Sequence, residues 1–132
     1  MANSNSTEVG TIYEAIGGQP AINKIVESLY THVAKHEAAL IPIFPTDLTE
    51  TAHKQRLFLT QFFGGPHLYL QEIGPPMLKR RHLPFEITFE RRNAWLECMD
   101  KALDEAEVQE PYRSAIFERL SITATHMMNT ED

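Results

Sequence analysis

Cysteine is almost missing from this chain, and Cys98 stands alone. One thiol excludes an internal disulfide and a structural zinc site built from several cysteines. Positive charge is also scarce. Twelve Lys and Arg against 18 Asp and Glu leave a formal net charge of -6, the opposite of the basic field that nucleic-acid proteins carry. The two basic runs, Lys79, Arg80, Arg81 and then Arg91, Arg92, suffice for a local anion site but not for a phosphate-backbone track. No apolar run is long enough to cross a bilayer. The opening "MANSNSTEVG" lacks the basic and apolar regions of a signal peptide. These absences point to the cytoplasm. Strand-like alternation and internal repeats are missing too, and the glycines match neither a dinucleotide fingerprint nor a P-loop.

What is present reads as helix throughout. Residues 1–10 are small and polar and are expected to form a flexible tail, with one domain over 11–130. A short helix over Thr11 to Ile16 ends at "GGQP". Ile22, Ile25, Val26, Leu29 and Val33 follow at helical spacing, and "IPIFP" closes that segment. Asp47 with Glu50 three positions on predicts the start of the next helix, Leu57, Phe58, Leu59 and Phe62 its apolar stripe, and "GGP" its end. Residues 67–74 read as irregular, and Pro75 and Pro76 leave room for only a short helix to about His82. Thr88 then caps a long helix striped with Trp95, Leu96, Met99, Ala102 and Leu103. Pro111 opens the last helix, which carries Ile116, Leu120, Thr123, Ala124 and Met127.

Several polar groups share faces with large apolar ones. Thr51 and Gln55 fall on the same side as Phe58, Leu59 and Phe62. They are either a first-turn residue and a solvent border, or a hydrogen-bonding pocket on an apolar floor. Tyr30 and Trp95 bury well only where the O–H and N–H find partners, so each is either an ordinary core aromatic or a donor to a small polar ligand. His82 is either a helix-end residue or a metal ligand, and a lone histidine holds a metal well only when a cofactor supplies the other ligands. His53 sits away from the Thr51 and Gln55 face, and His32 with His36 reads as a solvated pair. His67 and His126 have no assigned place. Cys98 reads as a small buried hydrophobe.

Three longer stretches add a second kind of information. "IFPTDLTETAHKQRLFLTQFFGGP", "GPPMLKRRHLPFEIT" and "RRNAWLECM" together resemble the truncated haemoglobins, specifically the bacterial group II branch, and the resemblance runs from about Thr11 to Met128. It implies an all-α, globin-like two-over-two helical sandwich with a short proximal helix. It implies haem b as cofactor, held without covalent attachment since no CxxCH run is present. His82 then corresponds to the proximal iron ligand, Tyr30 to the distal tyrosine and Trp95 to the distal tryptophan. Thr51 and Gln55 match the helix positions facing the sixth coordination site. Phe44 matches an aromatic that packs on the porphyrin and is often tyrosine in relatives; without that hydroxyl, Tyr30 and Trp95 matter more. Leu29 stands where relatives often have phenylalanine. Phe58, Phe62, Leu78, Phe89 and Met99 are expected to line the haem cavity, and Lys54 and Arg81 to meet the propionates.

The function so implied is reversible, high-affinity binding of O₂ and other diatomics at a histidine-ligated iron, for oxygen transport or scavenging. The rival from the enzyme class is a haem peroxidase or nitric oxide dioxygenase, which would need a reductase as partner. No distal acid–base histidine is evident for the peroxidase. A cofactor-free helical interaction module would explain the stripes but not Tyr30, Gln55, His82 and Trp95 together. No nucleic-acid partner or membrane insertion is expected, and the sequence leaves the oligomeric state open.

Overall fold

The helix starts and stops are set by short local signals. The computed structural model describes residues 11–36, 39–45, 47–75, 77 and 87–128. Six α-helices lie within them: α1 Ile12–Ala15, α2 Gln19–Val33, α3 Thr49–Phe62, α4 Leu68–Glu72, α5 Phe89–Glu105 and α6 Tyr112–Met127. A 3-10 turn at Ile41–Ile43 joins α2 to α3, and no strand occurs among the described residues. The short helix expected before His82 lies outside them.

Thr11 caps α1 through a reciprocal box with Glu14, and the Thr88 hydroxyl accepts from the Arg91 N–H at 3.1 Å to start α5. The end of α3 is a Schellman turn. The Gly65 N–H reaches the Thr60 carbonyl at 2.8 Å, and the Gly64 N–H reaches that of Gln61 at 3.0 Å. Both glycines are also needed for space. A Cβ on Gly64 would lie 2.8 Å from Thr11, and one on Gly65 2.8 Å from the Tyr13 ring, so the pair lets α1 close onto α3.

Two sequence expectations shift. Asp47 is not the N-cap of α3; Leu48 takes that position, and the Asp47 carboxylate accepts from the Thr49 N–H at 3.0 Å from one residue outside. The segment 67–74 is not irregular but contains α4, whose five residues are too few to display a helical period.

α2 and α3 pack as one pair, α5 and α6 as the other, and α2 lies across α5. This is a two-on-two sandwich. Ile22, Ile25, Val26 and Leu29 of α2 are fully enclosed against Met99, Ala102 and Leu103 of α5. Each large side chain so enclosed contributes about 1.5–3 kcal/mol by leaving water. Polar groups register the helices at the rim. His32 of α2 meets Glu105 of α5 at 3.0 Å, and His36, just past the end of α2, lies 3.8 Å from Glu97 of α5, so the pair read as solvated instead faces carboxylates of α5. Arg113 ties the start of α6 to Asp100 and Asp104 of α5 at 2.7 and 2.8 Å. Among the described residues no helix is long and apolar enough to span a membrane.

Candidate functional site

The two helix pairs do not close completely. Between them lies a cavity of about 810 Å³, within the range of about 300–1,000 Å³ usual for small-molecule and cofactor sites. α3 faces it with Thr51, Lys54, Gln55 and Phe58, and α6 with Leu120, Thr123, Ala124 and Met127. Each set repeats the spacing of one helix face. Tyr30 enters from α2, and Leu40, Ile43 and Phe44 from the 3-10 turn region. Arg91, Arg92 and Trp95 come from α5, with Ile87 just before it and Tyr69 from α4.

The walls are mostly apolar, and the polar groups are few. Tyr30 is only 7% exposed; its hydroxyl donates to Gln55 Oε1 at 3.4 Å, and its ring meets Phe44 edge-on at 6.1 Å. Burial pushes the Tyr30 phenol well above the usual tyrosine range, so the group stays a protonated donor. With the Gln55 carbonyl engaged by Tyr30, its NH₂ remains as a second donor. Among the described residues the Thr51 hydroxyl, the Gln55 NH₂ and the Trp95 indole N–H make no hydrogen bond to protein. These donors therefore share the cavity wall with Tyr30.

Charge collects on the same lining. Arg91 Nε donates to the Ala39 carbonyl at 3.1 Å, and Arg92 Nε donates to Thr125 Oγ1 at 3.0 Å. Lys54 lies 4.0 Å from Glu50 on its own helix. Asp47 and Glu50 complete the charged part of the lining.

The structure brings together Tyr30, Phe44, Thr51, Lys54, Gln55, Phe58 and Trp95 on this wall. It does not bring Phe62, Phe89 or Met99 to it. Phe62 lies one turn beyond Phe58, stacked on that ring at 5.2 Å, with the Arg119 guanidinium 4.7 Å from its centroid. Met99 is wholly enclosed in the core between α2 and α5. Phe89, the first residue of α5, is 52% exposed and has Arg92 over its ring at 5.7 Å. Leu78, Arg81 and His82 lie outside the described residues. Sequence reasoning missed Leu40, Ile43, Tyr69 and Ile87, which sit in or beside short elements without a readable period. Arg91 and Arg92 were visible as a basic pair with no assigned place. The α6 stripe was visible as well, but nothing in its spacing separated a cavity wall from a core face. No cluster of histidine, cysteine or carboxylate side chains suited to a bare metal ion occurs among the described residues.

Comparison with known proteins points one way. The family model of bacterial-like globins matches residues 11–129. A group 2 truncated hemoglobin of Bacillus subtilis is 53% identical over 117 residues, covering 89% of this chain and 87% of that protein. The crystal structure of the group II truncated hemoglobin from Bacillus anthracis superposes with a TM-score of 0.90 at 55% identity, covering 92% of this chain and 93% of that one. The X-ray structure of a truncated oxygen-avid haemoglobin from Bacillus subtilis gives 0.87 at 52% identity, over 91% of this chain and all of the other.

Proposed function

The chain belongs to the bacterial-like globins as a group II truncated haemoglobin, and on that premise we propose that its cavity holds haem b and retains O₂ and other diatomics by hydrogen bonding. The observation that carries this is the meeting of Tyr30, Thr51, Gln55 and Trp95 on one otherwise apolar wall. The cavity suits a flat aromatic macrocycle with two carboxylates. Phe44, Phe58, Ile87 and Leu120 offer apolar contact, and Arg91 and Arg92 offer guanidinium groups to the carboxylates. Lys54 stands on the same lining, 4.0 Å from Glu50 on its own helix, as a third cation for the carboxylates.

Among the described residues no histidine lines the cavity. The iron is assigned to His82, in the segment outside them, on the resemblance carried by "GPPMLKRRHLPFEIT". When bound, haem would supply an iron able to take a diatomic ligand that carries partial negative charge. The protein answers that charge with donors. The Trp95 N–H, the Gln55 NH₂ and the Tyr30 O–H, once it turns from Gln55 Oε1, are neutral donors on mostly apolar walls, where hydrogen bonds are stronger than in water. A ligand leaving the cavity breaks those bonds first, so release is slow and affinity high. Such retention suits scavenging or redox use better than bulk delivery. The apolar walls keep water from competing for the same donors.

Absorption spectra of the purified protein, oxidised, reduced and under O₂, test this directly. A Soret band with reversible oxygenated spectra supports the proposal; absence of haem uptake removes it. Turnover with peroxide, or with nitric oxide and a reductant, would move the protein to the redox-enzyme class.

A further inference from the structure

Arg91 joins parts of the molecule that lie far apart in sequence. Its root is fixed at the start of α5, where the Arg91 N–H donates to the Thr88 hydroxyl at 3.1 Å. Its side chain lines the main cavity, and its Nε donates to the Ala39 carbonyl, 52 positions earlier, at 3.1 Å. Ala39 is only 1% exposed, so its carbonyl would find little water if that bond were lost.

Ala39 opens the short segment that ends at Phe44. The segment is braced by its own backbone: the Ile43 N–H reaches the Leu40 carbonyl at 3.0 Å, and the Phe44 N–H reaches the same carbonyl at 3.2 Å. A shift at Ala39 is therefore passed on to Phe44. Phe44 meets the Tyr30 ring edge-on, with centroids 6.1 Å apart and planes at 71°, a favourable arrangement for two aromatic rings. The Tyr30 hydroxyl has to turn from Gln55 to meet a diatomic. Hydrogen bonds weaken steeply as their angle falls, so the turn ends well only if the ring itself is held.

Arg92 supplies the contrast. It lines the same cavity, but its Nε donates to Thr125 Oγ1 at 3.0 Å and its Nη1 to Asn93 Oδ1 at 2.6 Å. Those bonds run to α6 and along α5, not to the segment that carries Phe44.

We infer that Arg91 is a positioning residue for the diatomic, coupling the carboxylate edge of the cofactor to the distal donor through Ala39, Phe44 and the Tyr30 ring. This rests on the haem reading above. The guanidinium suits the task because its rigid fork of N–H donors can serve a carbonyl with Nε and a carboxylate with the outer nitrogens. A lysine at this position keeps the charge but has one nitrogen, which cannot serve both ends.

The experiment compares haem-loaded parent, Arg91→Lys, Arg92→Lys, Tyr30→Phe and the double variant of Arg91→Lys with Tyr30→Phe. Amide hydrogen exchange at Ile43 and Phe44 reads the segment, the C–O stretch of bound carbon monoxide reads the donors around the ligand, and stopped-flow reads O₂ release. In Arg91→Lys exchange at the two amides is expected to rise, the stretch to move toward that of Tyr30→Phe, and release to quicken about threefold, less than when the hydroxyl itself is removed. In the Tyr30→Phe background Arg91→Lys should add nothing further, a coupling that independent sites do not show. Additive effects on release, an unmoved stretch, or an equal shift in Arg92→Lys overturn the coupling. Phe44→Leu breaks the same path at its other end with Arg91 intact, and it decides the matter alone if Arg91→Lys does not fold or hold haem: a stretch and release rate equal to the parent's overturn the inference. Failure of the parent to take up haem is a different result, because it removes the cofactor assignment before any of these is read.

Discussion

Tyr30→Phe removes one oxygen and leaves nearly everything else in place. The ring keeps its edge contact with Phe44 at 6.1 Å, and the neighbouring core is untouched. One proton serves two acceptors in turn, Gln55 in the empty cavity and the diatomic when it is bound, and the substitution removes both. The bond to Gln55 at 3.4 Å is long enough to sit at the weak end of the range, about 0.5 kcal/mol, so folding stability changes little. The donor to the diatomic matters more. A hydrogen bond to a charged acceptor contributes about 1.5–3 kcal/mol, which corresponds to roughly a 10- to 150-fold change in dissociation constant. The Trp95 N–H and the Gln55 NH₂ remain and compensate in part, which places the expected loss of O₂ affinity near tenfold. Affinity is the quantity to read, because a change of access to the cavity would alter both rates together and cancel in their ratio. Stopped-flow release and photolysis rebinding supply that ratio, and Trp95→Phe completes a double-mutant cycle. Protonation adds a further check. Burial holds the Tyr30 phenol above its usual value, so the donor persists and affinity stays flat to at least about pH 9. Stability follows the same sign. The contribution from the neutral phenol is complete below the unfolded value of about 10 and is lost as pH rises above it. An affinity in Tyr30→Phe within about twofold of the parent, less than 0.5 kcal/mol, would refute the hydrogen-bond account of retention.

The remaining predictions concern other links in the chain. His82→Gly is expected to lose the histidine-ligated ferrous spectrum and to recover it with added imidazole; an unchanged spectrum would move the axial ligand elsewhere. Gly65→Ala places a Cβ 2.8 Å from the Tyr13 ring and 2.9 Å from the Thr60 carbonyl, and overpacking of that kind costs about 1–3 kcal/mol. Its melting temperature should fall while the haem spectrum holds, and an unshifted melt would show that α1 moves aside freely. The Glu105 carboxyl is held below its usual range, first by the Ser28 hydroxyl and then by His32. Its stabilising effect is present above the unfolded carboxylate value and is lost as pH falls through the lower folded one. Urea midpoints measured between pH 3 and 6, about the carboxylate range, should therefore decline less in Glu105→Gln than in the parent; parallel curves would dismiss Glu105 as an acid-sensitive link between α2 and α5.

How much of this was readable depended on whether a residue's role is local. The cap at Thr88, the double-glycine stop and the α2 stripe act within a turn or two, and each was legible from spacing, whereas Thr11 was read as the first helical residue and is instead the cap of α1. Tyr30, Thr51, Gln55 and Trp95 could be listed as odd polar groups on apolar faces, but their convergence depends on how α2, α3 and α5 cross. No single-helix pattern encodes that crossing. Phe62 and Met99 show the opposite error. Each lies one turn from a true wall residue, Phe58 or Trp95, and shares its apolar character. Composition cannot distinguish them, because a cavity wall and a core face demand the same side chains. What separates them is the small angular offset by which α3 turns Phe62 toward Arg119 and α5 turns Met99 into the core. Arg91 and Arg92 make the same point from the charged side. Adjacent on α5 and so pointing about 100° apart, they read in sequence as a generic basic pair. They line the cavity together only because α5 presents both to a space whose other walls come from α2, α3 and α6. The chemistry thus belongs to the seam between the two helix pairs, and a substitution that changes their crossing without touching any polar group should weaken ligand retention as surely as removing a donor.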